Sequence, residues 1–363
     1  MSLRLSEILY NFIIKLIYFY SLILGVVPGT FDWQTYRFKV SKFYLVYSAL
    51  IQFGFLAIIP ITSSFVHDKN NYMHNKPVLQ WAYMVAKLAM VSTVVIISVK
   101  IWKKRQRFVA VCDVYKRFVF KYSDFSKHFH CYITEDLKQQ DQRLKRFMIY
   151  KFISLHVHTL AITSMYVQMQ EDPDRKFFIM ITVNMLQGFF LITANLQFMF
   201  ILCQMSLHFS YINHCLQVLQ HQKIPLKNLL NYYLILYEMH MECLQISRLF
   251  FGASNAVTFF MLLKIFTTNV TMLYHAVLII MSNIHSTNTS SFVGVMCIVN
   301  FYWDSLLVTA AIDYALAACN RSMDIIQETW FEDSGGEDHE MTFRKLTQVV
   351  SVVRNENLND LWV

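Results

Sequence analysis

Six apolar stretches, at roughly 42–66, 78–101, 148–170, 176–204, 253–284 and 292–318, alternate with connections whose positive charge falls almost wholly on one side. A membrane-crossing helix needs about 20 mostly apolar residues, because hydrocarbon offers no water to satisfy backbone amides. Each stretch meets that length. The segment joining the second and third, 100–146, carries Lys100, Lys103, Lys104, Arg105, Arg107, Lys116, Arg117, Lys121, Lys127, Lys138, Arg143, Lys145 and Arg146. The connections on the other side hold only Lys69, Lys76, Arg175 and Lys176, offset by Asp68, Glu171, Asp172 and Asp174. Lys and Arg beside spans stay in the cytoplasm, so this asymmetry places the N-terminus inside.

The predicted fold class is all-α, a polytopic transmembrane helix bundle with six spans and long cytoplasmic helical extensions. A chain 55% hydrophobic and 15% charged over 363 residues is hard to keep in solution as a soluble domain. Only 8 Gly and 5 Pro argue for long uninterrupted helices and against a β-barrel. The expected organisation is a cytoplasmic N-terminal segment, 1–41, then a transmembrane domain, 42–318, then a cytoplasmic C-terminal segment, 319–363. The apolar run 8–27 is interrupted by Lys15 and lacks a small-residue cleavage site, so it reads as an uncleaved helix at the membrane surface. After Pro225, Leu226, Leu229, Tyr233 and Leu236 recur at helical spacing. That helix either lies on the membrane or docks against partner helices or subunits. Residues 332–340 read as a flexible acidic linker.

The net charge of +8 does not indicate nucleic-acid binding, because the basic residues flank spans and no basic-aromatic module accompanies them. Cys112, Cys131, Cys203, Cys215, Cys243 and Cys319 fall inside or at inner span ends, and Cys297 in the outer part of the sixth span, so no stapled ectodomain is expected. Asn288-Thr289-Ser290 is a glycosylation sequon in the last outside loop. His156-Val157-His158 and His128-Phe129-His130-Cys131 resemble metal-site fragments but have no partners at ligand spacing. No cofactor and no catalytic constellation are expected.

The short outside connections force any outside ligand into the bundle itself. Lys87, Lys264, Asp304 and Asp313 place charge within apolar spans, where each costs roughly 2.5 to 3.5 kcal/mol and marks a functional position or a buried Lys-Asp pair. Toward the outer ends, Trp81, Thr163, Tyr166, Asn184, Gln187, Tyr274, His275, Asn300 and Trp303 supply aromatic faces and hydrogen-bonding tips. With Lys87, Lys264 and Asp304 they form the candidate ligand pocket, since such pockets combine apolar walls with a few polar groups. Membrane-interface aromatics are the bland alternative for many of them individually.

The segment Leu24-Gly25-Val26-Val27-Pro28-Gly29-Thr30-Phe31-Asp32, followed by Arg37, Ser41-Lys42 and Tyr47, resembles the opening of insect gustatory receptors. Tyr237, His240, Leu244, Phe251 and Gly252, leading into Phe259-Phe260-Met261-Leu262-Leu263, resemble that family's long cytoplasmic helix as it enters the fifth span. The likeness extends over about residues 8–345. It implies a ligand-gated cation channel in the plasma membrane of chemosensory neurons, assembled as a homo- or hetero-tetramer with other gustatory receptors. A pocket among the second to sixth spans would bind a sugar or bitter compound, and Tyr237, His240, Leu244, Phe251 and Gly252 would belong to a cytoplasmic anchor.

The family's Thr-Tyr and Gln signature, carried on a seventh, pore-lining span, is absent. The resemblance therefore implies that about 25 residues or more lie beyond Val363, or that this form is a non-conducting or modulatory subunit. A G-protein-coupled receptor, or a membrane transporter or enzyme, is the competing class. The first would require the opposite orientation, the second converging carboxylates or histidines.

Overall fold

A computed structural model describes residues 3–27, 29–32, 35, 37–57, 76–103, 105–128, 135–169, 175–221, 226–281 and 288–332. Its elements are α1 (Leu3–Ile23), β1 (Gly29–Asp32), β2 (Arg37–Val40), α2 (Lys42–Ala57), α3 (Pro77–Lys103), α4 (Arg105–His128), α5 (Glu135–Met169), α6 (Arg175–His221), α7 (Leu226–Ile280) and α8 (Asn288–Glu332). The fold is an all-α bundle. Helices α6, α7 and α8 run for 47, 55 and 45 residues. At 1.5 Å per residue each is about twice as long as a hydrocarbon core of ~30 Å or more, so each extends well beyond any bilayer it crosses. The extensions gather where α3 ends and α4 and α5 begin, the basic end.

Five described helical windows are long and apolar enough to cross a membrane: Ser6–Ile23, Pro77–Lys100, Phe177–Leu219, Phe259–Leu278 and Phe292–Ser322. Two of the six expected spans differ from this set. For 42–66 the described helix stops at Ala57, and in 148–170 Lys151, His156 and His158 lower the hydropathy. Conversely, α1 is apolar enough to span. It does not stand apart from the bundle but lies along α5 and α6, with Ile13 and Ile17 buried against Met148, Leu196 and Met199. Gln197 Nε2 donates to Ser21 Oγ at 2.7 Å and Gln204 Nε2 to Tyr10 Oη at 3.0 Å.

The β-hairpin was not anticipated. β1 and β2 pair antiparallel, Gly29 opposite Val40 and Asp32 opposite Arg37, and β2 rests against α4. Asp32 organises the turn by accepting a 2.7 Å bond from Thr35 Oγ1. Just before it, Gly25 adopts φ +64°. Its carbonyl accepts from Ser48 Oγ at 2.5 Å and Gln52 Nε2 at 2.9 Å, and Gln52 Oε1 accepts from Trp102 Nε1 at 2.6 Å. One carbonyl thus ties the end of α1 to α2 and, through Gln52, to α3.

At the basic end, Phe118 of α4, Ile212 and Cys215 of α6, Leu236, Met239 and Leu244 of α7 and Cys319 of α8 form one buried cluster. The amphipathic first half of α7 therefore packs within its own chain. Lys121 of α4 lies 2.6 Å from Glu238 and 3.1 Å from Glu242, and Arg117 lies 3.6 Å from Glu242. Burial alone would lower the Lys121 pKa, but hydrogen bonds and charge from Glu238 and Glu242 outweigh it, so the ammonium is held above its ordinary value. Of the anchor residues, Leu244 and His240 are buried and Tyr237 is half-buried, while the side chains of Phe251 and Gly252 lie outside the described residues.

Two outcomes are expected. Gly25→Ala places a Cβ 2.8 Å from Ser48 Cα in a left-handed conformation, so chemical denaturation should show a loss of at least ~1 kcal/mol. A stability equal to wild type would show that the turn relaxes freely. His240 packs on Phe209 with ring centroids 5.1 Å apart, and neither of its ring nitrogens has a hydrogen-bond partner among the described residues. Burial lowers its pKa from 6.5 to about 4. Its contribution to stability is present above the unfolded value and lost as pH falls toward the folded one. His240→Phe should accordingly flatten the stability profile between those pH values by on the order of 3 kcal/mol relative to wild type.

Candidate functional site

Helices α3, α5, α6, α7 and α8 enclose two adjoining cavities whose shared walls are His158, Thr159, Gly188 and Lys264. The larger, about 130 Å³, is also lined by Tyr83, Lys87, Thr163, Asn184, Thr271 and Met272. The smaller, about 80 Å³, is lined by Thr93, Ser154, Asn195, Asn300 and Asp304. Gly188 leaves room at the neck, since a Cβ there would meet only Thr159 Cγ2 at 3.4 Å.

Lys87 is 8% exposed and projects from α3 toward α6. Its ammonium donates to Asn184 Oδ1, and to Gln187 Oε1 at 3.5 Å. Gln187 stands behind it, fully buried, with Nε2 donating to Phe55 O at 3.5 Å. On the far side, α3 is tied to α7 by Thr93 Oγ1 donating to Phe260 O at 3.0 Å and by Thr271 Oγ1 donating to Ala82 O at 3.1 Å.

The smaller cavity is organised by a residue that the sequence reading missed. Lys151 of α5, 0% exposed, places Nζ 2.6 Å from Asp304 Oδ2. Asp304 Oδ1, its other oxygen, has no hydrogen-bond partner among the described residues. Ser154, nearly one turn along α5, donates to Asn300 O at 3.3 Å, so the two contacts set the register of α5 against α8. Lys151 was passed over because it follows Lys145 and Arg146 and reads as part of the basic flank. The signal that marks it is periodicity: Lys151, Ser154 and His158 fall on one helical face.

The charged positions in apolar stretches fare differently. Asp313 is exposed, because nine residues beyond Asp304 on the same helix put it on the opposite face. Lys264 is half-buried in the wall of both cavities and, among the described residues, interacts with the Asp304 carboxylate at longer range than an ion pair. Thr163, Asn184, Lys87 and Lys264 therefore meet at the larger cavity, and Asn300, Asp304 and Lys264 at the smaller. Trp81 is 73% exposed and points away, and Trp303 is half exposed, edge-on to Tyr150 at 6.5 Å. Tyr274 and His275 lie outside both linings, and the side chains of Tyr166 and Asn288 lie outside the described residues. Of the histidines weighed as metal fragments, His158 lines both cavities, while His156 bonds Phe152 O at 2.8 Å. His128 ends α4, and residues 129–131 lie outside the described residues. Among the described residues no three His, Cys, Asp or Glu side chains converge to hold a metal ion.

A family model described as "7tm Chemosensory receptor" matches residues 14–348. The chain belongs to this family. Two curated proteins of Drosophila melanogaster are similar to this chemosensory receptor at the same low identity. "Putative gustatory receptor 58b" is 22% identical over 317 residues, 85% of this chain and 76% of that protein. "Putative gustatory receptor 58a" is 22% identical over 331 residues, 87% of this chain and 82% of that protein. The family is one of receptors and not of enzymes.

Breaking one side of a buried ion pair leaves an uncompensated charge, at a cost of about 3–5 kcal/mol. Lys151→Met and Asp304→Asn in this receptor should each lower chemical-denaturation stability by about that amount, and the double variant should recover at least half of the loss. Additive losses would show that the two residues do not act as a pair.

Proposed function

We propose that this chemosensory receptor is a gustatory receptor that binds small-molecule tastants in the two adjoining cavities and mediates acceptance or avoidance. It works as a subunit of a ligand-gated cation channel, with a cytoplasmic N-terminus, in the plasma membrane of chemosensory neurons. The observation that carries the reading is a cavity between four helices, walled by Lys87, Asn184 and Lys264, in a chain of this family. The concentration of Lys and Arg in 100–146 supports the orientation.

A ligand gates a channel only to the extent that it binds the open and closed arrangements differently. Helix α7 suits that task. It contributes Lys264 and Thr271 to the cavity walls, and, without interruption, Leu236 and Met239 to the cluster at the basic end. A change in cavity shape is thereby transmitted as tilt or rotation to the end at which subunits of a tetramer, homomeric or shared with other gustatory receptors, would meet.

The test is calcium imaging in cells expressing the full chain with other gustatory receptors, challenged with a panel of sugars, bitter compounds and organic acids. Lys87→Met should raise the half-maximal concentration of an active ligand about tenfold or more at unchanged surface expression, the loss expected for a charge-assisted contact. Trp81→Ala, which faces away, should leave it unchanged. Identical dose-response curves for Lys87→Met and wild type would remove the cavity from ligand recognition.

A further inference from the structure

We infer that these cavities recognise a small soluble organic anion, a carboxylate held between the ammonium groups of Lys87 and Lys264. The inference rests on the reading of the cavities as the ligand site and adds the chemical class of the ligand.

The charge balance points there. Among the described residues, three ammonium groups, Lys87, Lys151 and Lys264, surround or back the cavities, and Asp304 is the one carboxylate in their walls. Lys151 already holds Asp304 at 2.6 Å. A cationic ligand would therefore have to displace a buried lysine to reach the acid, and would meet Lys264 beside it. Lys87 is bonded only to the neutral amides of Asn184 and Gln187, and Lys264 shares the field of the Asp304 carboxylate with Lys151 without an ion pair of its own. Three ammonium groups against one carboxylate leave positive charge withdrawn from water, which is costly, and a bound carboxylate balances it.

Two side-chain amides add donors to the same end. Asn184 spends its carbonyl oxygen on Lys87 and keeps its amide hydrogens. Asn300 Nδ2, in the wall of the smaller cavity, is a buried donor without a hydrogen-bond partner among the described residues. Thr163 Oγ1 and Thr271 Oγ1 are engaged with the backbone carbonyls of Thr159 and Thr267, at 2.8 Å each. The free donors are thus the side-chain amides of Asn184 and Asn300 beside two ammonium groups, which suits a carboxylate, while the two threonine oxygens keep acceptor lone pairs that can take a ligand hydroxyl. With about 130 Å³ in the larger cavity, the ligand is a molecule of several heavy atoms and not a long acyl chain.

The test uses the purified full chain in nanodiscs of phosphatidylcholine, with thermal unfolding as the readout. Lactate and benzoate are compared with lactamide and benzamide, which keep the shape and remove the charge, and with sucrose and quinine. The carboxylates should raise the unfolding temperature saturably, at concentrations at least tenfold below those of the matched amides. Lys264→Met and Lys87→Met should erase that preference, and Lys264→Arg should retain it. The comparison of carboxylate with amide on wild type stands even if a lysine variant fails to fold. Equal shifts from benzoate and benzamide, or shifts from sucrose or quinine alone, would overturn the anion and leave the cavities as a ligand site. Silence from every probe would overturn both readings. Stabilisation by phosphatidylglycerol nanodiscs to which carboxylates add nothing would assign the lysines to a lipid headgroup and overturn the inference.

Discussion

Lys151 is withdrawn from solvent with its ammonium 2.6 Å from Asp304, and this pair joins α5 to α8 in the middle of the bundle. In a membrane, apolar surfaces gain little by leaving lipid for one another, so polar and charged contacts carry much of the specificity of helix register. The pair acts with Ser154 and Asn300 to fix two antiparallel helices, and α5 then presents His158, Thr159 and Thr163 to the cavities. The same contact determines cavity chemistry, because it consumes the acid that could otherwise have met a cation.

The second constraint is length. Helices of 45 to 55 residues cannot be contained within a bilayer, so the portions beyond it must bury their apolar faces elsewhere. They do so against one another and α4, around Phe118, Cys215, Leu236 and Cys319, with Lys121 bridging to Glu238 and Glu242 at the edge. Since α7 runs unbroken from this cluster to the cavity wall, binding and basic-end packing share one rigid element. The Gly25 carbonyl adds a fixed point in α2 and α3, from which Lys87 projects.

Much of this was legible in the chain. Apolar stretches of spanning length alternating with a basic connection read directly as a helical membrane bundle, and the charged residues within them directed attention to Lys87, Lys264 and Asp304. Other features were not legible, for physical reasons. The hairpin depends on a local turn at Asp32 and on support from α4, which short polar sequences do not advertise. Trp81 and Trp303 carry the composition of a pocket but face outward, since a tryptophan on an apolar helix serves lipid-facing and cavity-facing positions equally well. Lys151 was hidden by its basic neighbours.

By itself the sequence determined the class of fold, because backbone amides in hydrocarbon permit few solutions and apolar length with flanking charge is a one-dimensional property. It also carried the likeness to chemosensory receptors along most of the chain. Only the tertiary structure decided which charges meet. Whether Asp304 faces Lys151, Lys264 or a ligand depends on the relative rotation and register of α5, α7 and α8, which are set by packing between residues over a hundred positions apart. That rotation left Asp304 paired with Lys151 and near Lys264, and Lys87 with neutral amides alone.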